Sequence, residues 1–168
     1  MKIALVSLGV VVALILVVIA VGYMLPVAHT ATRERTLGAP PSRVFAAIMT
    51  PADFPQWRSD VKRVEMLPAV DGHTRWRETG DNGTITFVND TVVPDRRVVT
   101  RIEDKGLPFG GGWTLELSPA PQAGGTTLRI TENGKIYNPV FRFVSRFILG
   151  YTRSLERYLG DLERYLAR

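Results

Sequence analysis

The chain opens on an unbroken apolar run and then changes character. Residues 3–25, IALVSLGVVVALILVVIAVGYML, carry no charge, and about 20 such residues suffice for a helix to cross the hydrocarbon core of a bilayer. The pattern predicts a transmembrane anchor over residues 1–28 and a separate domain over residues 29–168. From Thr30 the hydrophobic positions become periodic. Residues 30–37 alternate as a strand does, Gly38-Ala39-Pro40-Pro41 breaks the run, and Ser42 stands where it would cap a helix reaching Met49. The segment PADFPQW, residues 51–57, then packs two prolines and two aromatics into seven positions. It predicts a second short helix or turn whose backbone Pro51 and Pro55 hold. After Asp60, short alternating runs divided by turn residues read as antiparallel strands over 62–67, 74–79, 84–93, 97–103, 112–117 and 126–137. In residues 139–168, Phe141, Val144, Ile148, Tyr151, Leu155, Leu159, Leu162 and Leu166 recur at steps of three and four. That spacing predicts one long amphipathic helix.

A secretory signal peptide is the alternative for the first segment. Its apolar region is normally shorter and ends in a small-residue cleavage site, and neither Pro26-Val27-Ala28 nor Ala28-His29-Thr30 makes a good one. The segment is therefore expected to remain as an uncleaved anchor. Lys2 and the terminal amine flank it on one side, and Arg33 and Arg35, offset by Glu34, on the other. This balance leans toward a cytoplasmic N-terminus and a domain on the exoplasmic or periplasmic side.

Charge and rare residues narrow the chemistry. Twenty-one Lys and Arg against sixteen Asp and Glu give a net charge of +5, which fits an anionic membrane surface beside the anchor at least as well as nucleic acid. No nucleic-acid partner is expected. With no cysteine, disulfides and thiolate chemistry are excluded. Two histidines, His29 and His73, give a metal site little to draw on, so neither metal nor cofactor is expected. Gly110-Gly111-Gly112 lacks the following lysine and helix start of a phosphate loop and reads as a flexible loop or gate beside Pro108 and Phe109. On a helical wheel, Arg142, Arg146, Arg153, Arg157, Arg164 and Arg168 fall opposite the apolar stripe of the last helix. They form either the solvated back of a packed helix or a stripe touching anionic headgroups.

The order of elements says more than any single motif. One strand, two short helices, six strands and a long C-terminal helix make an α+β arrangement of the helix-grip kind, a curved antiparallel sheet wrapped around the last helix. With APPSRVFAAIMTPADFPQW, GWTLEL and TTLRITENG in that order, residues 30–168 resemble the START-like superfamily, also called the SRPBCC or polyketide cyclase/dehydrase group. The resemblance implies a cavity between sheet and helix that holds an apolar or amphipathic ligand. It also implies that the short helix pair closes one end of the sheet, with Phe54 and Trp57 turned inward. It fixes no reaction, since fold does not dictate function.

Strand alternation supplies the walls of such a cavity. Trp113, Leu115 and Leu117 point inward with Thr114 and Glu116 outward, and the same alternation turns in Leu128, Ile130, Glu132, Trp76, Glu78, Ile85 and Phe87. The expected ligand-binding set is Phe54, Trp57, Trp76, Glu78, Phe87, Trp113, Ile130, Glu132, Phe141 and Ile148. Glu78 and Glu132 are the only candidate proton-transfer groups, because a carboxylate in an apolar pocket has a raised pKa. Alternatively each pairs with an arginine such as Arg77, Arg101 or Arg129. The reading that follows is a membrane-anchored binding module for a lipid or other hydrophobic small molecule. The alternatives are a cyclase- or dehydrase-like enzyme using a cavity carboxylate, and a non-catalytic protein whose basic face docks on the bilayer.

Overall fold

The computed structural model describes residues 2–121 and 124–168. Helix α1 (Lys2–Met24) realises the apolar run. Its stretch Val6–Met24 is long and apolar enough to cross a membrane and is almost entirely uncovered by the rest of the chain. A helix apolar on all sides and unpacked has no polar face to offer water.

Strand β1 (Ala28–Leu37) follows, then α2 (Pro41–Met49), a 3-10 turn (Pro51–Asp53), α3 (Phe54–Trp57) and six strands. These are β2 (Val61–Val70), β3 (His73–Gly80), β4 (Gly83–Val93), β5 (Arg97–Ile102), β6 (Phe109–Pro119) and β7 (Thr126–Ile136). The chain ends with α4 (Pro139–Val144), a π-helical turn (Ser145–Leu149) and α5 (Arg153–Leu166). All seven strands join one antiparallel sheet in the order β1-β7-β6-β5-β4-β3-β2. Successive strands from β2 to β7 pair with their neighbours, and β1 returns to pair with the last. The fold is α+β, with the helix-grip order that the sequence predicts.

Local chemistry explains the hairpins and the curvature. Asp71 and Gly72 both have positive φ, 52° and 79°, which gives the two-residue turn whose twist matches the flanking strands. Register shifts interrupt the pairing of β2 with β3 and of β4 with β5, and such bulges bend the strands they occupy. The sheet thus curves toward α5, whose Leu155, Leu159 and Leu162 are fully buried against the inner face with Val98, Leu115, Leu128 and Ile130.

Four expectations are corrected. Helix α2 starts at Pro41 and is preceded by Pro40, with no side-chain cap. Pro41, lacking an N–H, suits the first helical position, so Ser42 does not cap. The glycines 110–112 are no loop; they belong to β6 and pair with Lys135, Gly134 and Asn133 of β7. The last thirty residues are not one helix. Gly150, at φ 73° and ψ 161°, occupies a backbone region essentially restricted to glycine and separates the π-helical turn from α5. Beyond that break the wheel loses its phase. Phe141 and Ile148 are 49 % and 69 % exposed, whereas Leu155, Leu159 and Leu162 of α5 are buried. Nor does Arg142 share the solvated face expected of these arginines, the fourth correction. Arg142 is buried, whereas Arg146, Arg153, Arg164 and Arg168 are exposed; the half-buried Arg157 bonds Asp81 at 3.0 Å and Arg164 pairs with Asp161.

Candidate functional site

The inner faces of β3, β4 and β6, closed by α3 and α5, surround a cavity of about 230 Å³. Period-two alternation builds its walls. Trp76 lies directly opposite Phe87 and Glu78 opposite Ile85 in the β3–β4 pair, and the Trp76 and Phe87 rings stack with centroids 5.6 Å apart. In the β6–β7 pair Trp113 lies opposite Glu132 and Leu115 opposite Ile130. Phe54 enters from α3 and Tyr158 from α5.

The PADFPQW segment is the plug at one end. Pro51, Phe54 and Trp57 are buried. The Phe54 ring meets Trp57 edge-on at 5.4 Å and Trp76 edge-on at 6.2 Å, an arrangement aromatic quadrupoles favour. Only Phe54 reaches the cavity. Trp57 packs between Tyr158 and Tyr165 and borders a shallower outer pocket with Arg43 and Arg168; its indole N–H is buried without a partner.

The polar floor belongs to a residue that sequence reasoning missed. Arg58, immediately after α3, donates to Glu78 at 2.9 Å and to both oxygens of Asp60 at 3.2 and 3.0 Å. Its guanidinium also lies 5.1 Å from the Phe54 ring and 5.4 Å from the Tyr158 ring. Glu78 Oε1 accepts a further bond from the Trp76 indole at 2.8 Å. Burial raises the Glu78 carboxyl above its ordinary range, although Arg58 and the Trp76 N–H act in the opposite sense. Burial alone would lower the Arg58 pKa, but Glu78 and Asp60 outweigh it and the guanidinium is held more firmly charged than usual. The Tyr158 hydroxyl is pushed up by burial and stays protonated.

A second polar group stands at the rim. Glu132 accepts from the Trp113 indole at 3.0 Å and from the Ser154 hydroxyl at 3.3 Å, and its other oxygen lies 3.1 Å from His29 Nε2. The His29 ring stacks on Tyr151 at 4.1 Å. Both carboxylates are therefore partnered, though by Arg58 and His29 rather than by Arg77, Arg101 or Arg129. Among the described residues no group of three or more His, Asp or Glu is placed to hold a metal.

Six of the ten ligand-binding residues expected from sequence border the cavity: Phe54, Trp76, Glu78, Phe87, Trp113 and Glu132. Ile130 is wholly buried core, Trp57 serves the plug, and Phe141 and Ile148 lie outside on the exposed segment before Gly150. Arg58, Asp60, Ser154 and Tyr158 were not anticipated. The one signal for Arg58 and Asp60 was their place directly after a proline-fixed aromatic turn.

The family model described as "Polyketide cyclase / dehydrase and lipid transport" matches residues 28–167. The fold of the ZhuI aromatase/cyclase from a Streptomyces species superposes with a TM-score of 0.69 at 14% identity, over 84% of this chain and 94% of that one. A START superfamily protein from Mycobacterium smegmatis gives 0.66 at 13% identity, over 83% and 97%. A protein from Mesorhizobium loti gives 0.62 at 22% identity, over 83% and 98%. At these identities the likeness is one of fold. No curated protein matches the sequence. From Ala28 through its C-terminal helix, the chain belongs to the polyketide cyclase/dehydrase and lipid-transport family, a START-like helix-grip protein.

Proposed function

We propose that residues 29–168 are a binding module for a compact hydrophobic or amphipathic molecule, held at a membrane by residues 1–28. The observation that carries this reading is the open cavity walled by Phe54, Trp76, Ile85, Phe87, Trp113 and Leu115, whose charged groups are already paired with one another. Size limits the occupant. An apolar cavity of about 150 Å³ takes benzene, and drug-sized ligands occupy roughly 300–1,000 Å³. A volume of about 230 Å³ therefore suits a small ring system or a short chain rather than a whole diacyl lipid. Native mass spectrometry of the full chain in lipid nanodiscs, with organic extraction of what is bound, tests the reading. A discrete adduct is expected, and it should vanish in Ser154→Trp, where an indole at the exposed rim plugs the cavity without disturbing the core. Wild-type protein that neither carries an adduct nor takes up an added apolar dye would defeat it.

A second reading has one observation in its favour. Glu78 is buried with its pKa raised, as a carboxyl serving in general acid or base catalysis requires. Glu78→Gln and Glu132→Gln variants that bind an aromatic polyketide surrogate normally but lose its turnover would favour an enzyme of the cyclase or dehydrase kind. Unchanged turnover would remove it.

A further inference from the structure

The segment between β7 and α5 departs from everything around it. Phe141, Phe147, Ile148 and Leu149 are 49, 58, 69 and 48 % exposed, an apolar concentration that proteins in water seldom leave uncovered. From Asn133 to Leu155 the chain has four basic residues, Lys135, Arg142, Arg146 and Arg153, and no acidic one.

Its position is fixed by α1. Helix α4 packs on the end of α1, with the Pro139 backbone so close to Gly22 that a Cβ there would collide with it. Arg142 Nη1 donates to the Leu25 carbonyl at 2.7 Å, and its guanidinium lies 5.9 Å from the Tyr23 ring. Leu25 directly follows α1, where helix carbonyls lack partners and the macrodipole favours a cation. Arg142 thus bolts α4 to the point where α1 ends. Tyr23 and Tyr137, both exposed, stand at that level, where membrane proteins concentrate aromatic residues.

We propose that α4 and the π-helical turn lie in the headgroup–acyl boundary of the bilayer that α1 crosses. Phe141, Phe147, Ile148 and Leu149 enter the apolar layer, and Arg146 and Arg153 meet anionic headgroups. The proposal rests on α1 being a membrane span, as the functional reading above has it. The segment connects two residues of the cavity rim, Glu132 on β7 and Ser154 on α5. Its insertion would hold the mouth of the cavity against the lipid surface, so that a ligand dissolved in the bilayer could arrive without passing through bulk water.

A chain without cysteine allows a direct test. Single cysteines at Ile148, at Leu14 in α1 and at Glu65 on β2, the sheet edge opposite β1, are labelled with an environment-sensitive dye. The full-length variants are placed in phosphatidylcholine–phosphatidylglycerol vesicles containing acyl-chain nitroxide lipids. The dye at 148 should be blue-shifted and quenched about twofold or more, as at Leu14, while the dye at 65 stays unquenched. Quenching at 14 with none at 148 overturns this inference and leaves the anchor standing. No quenching at 14 overturns the anchor and the inference with it. Ile148 is 69 % exposed, so its replacement should leave folding intact, and a far-ultraviolet spectrum equal to wild type checks this.

Discussion

Replacing Arg58 by methionine isolates the energetics of the cavity floor. The substitution keeps an unbranched apolar stem but removes three hydrogen bonds to Glu78 and Asp60 and two cation–ring contacts. Asp60 can turn to water. Glu78, 6 % exposed, keeps only the Trp76 N–H. Breaking a buried ion pair from one side costs roughly 3–5 kcal/mol, a large part of a typical domain stability of about 5–15 kcal/mol. The cost must depend on pH. Burial already raises the Glu78 pKa, and without Arg58 it rises further. Between the ordinary carboxyl pKa and that raised value, the folded protein holds a proton that the unfolded chain releases. Stability therefore increases as pH falls through that window, by up to about 1.4 kcal/mol per pH unit. Urea unfolding of full-length protein in micelles, followed by the near-ultraviolet signal of the tryptophans, should give a large loss at pH 7 and a smaller one at pH 5. Arg58→Met combined with Glu78→Gln should recover most of the loss at pH 7, since the amide still accepts from Trp76 and carries no charge. Equal losses at both pH values, with no recovery in the double variant, would refute the account.

Other expectations follow from the same structure. Leu159→Ala opens a cavity under α5 where exposure is 1 %; a loss of about 2–5 kcal/mol in the same denaturation experiment is expected. Gly111→Ala sets a side chain at φ 116° against the Asn133 carbonyl, so it should destabilise by more than about 1 kcal/mol and lower the melting temperature. Gly150→Ala strains the break before α5 without meeting any neighbour. It should cost roughly 1–3 kcal/mol through backbone conformation alone, and crowding-dependent effects on the core tryptophan spectrum should be absent.

The sheet was legible in the sequence because alternation and turn residues are local signals that tertiary structure only reinforces. Residues 84–93 and 97–103 differ from β4 and β5 by no more than a residue at either end. Where side chains are missing, that signal disappears, so Gly110–Gly112 read as loop although backbone pairing with β7 makes them strand. The C-terminal helix failed for a related reason. Phe141, Val144, Ile148, Tyr151 and Leu155 keep a three-and-four spacing across Gly150, and only the backbone angle of one residue reveals that two segments with different surroundings share the pattern. The cavity walls followed from inward alternation, and Trp76, Phe87 and Trp113 are where it puts them. Arg58 was invisible because an arginine in a turn is ordinarily solvated; its burial depends on Glu78 and Tyr158 arriving from distant parts of the chain to join its near neighbours Phe54 and Asp60.

The return of β1 to β7 bears on how the protein comes into being. His29 and Glu132, which meet across that pair, are 103 residues apart, so the first strand to be synthesised finds its partner only when nearly the whole chain has been made. Closing such a loop costs on the order of 4 kcal/mol beyond a constant, and pairings of high sequence separation are slow to form. During synthesis β1 therefore waits unpaired until β7 has been made. For that interval β2 to β6 can pair among themselves while the edge of β6 that β7 will take stays open, so that edge and the unpaired β1 are both exposed to wrong pairing.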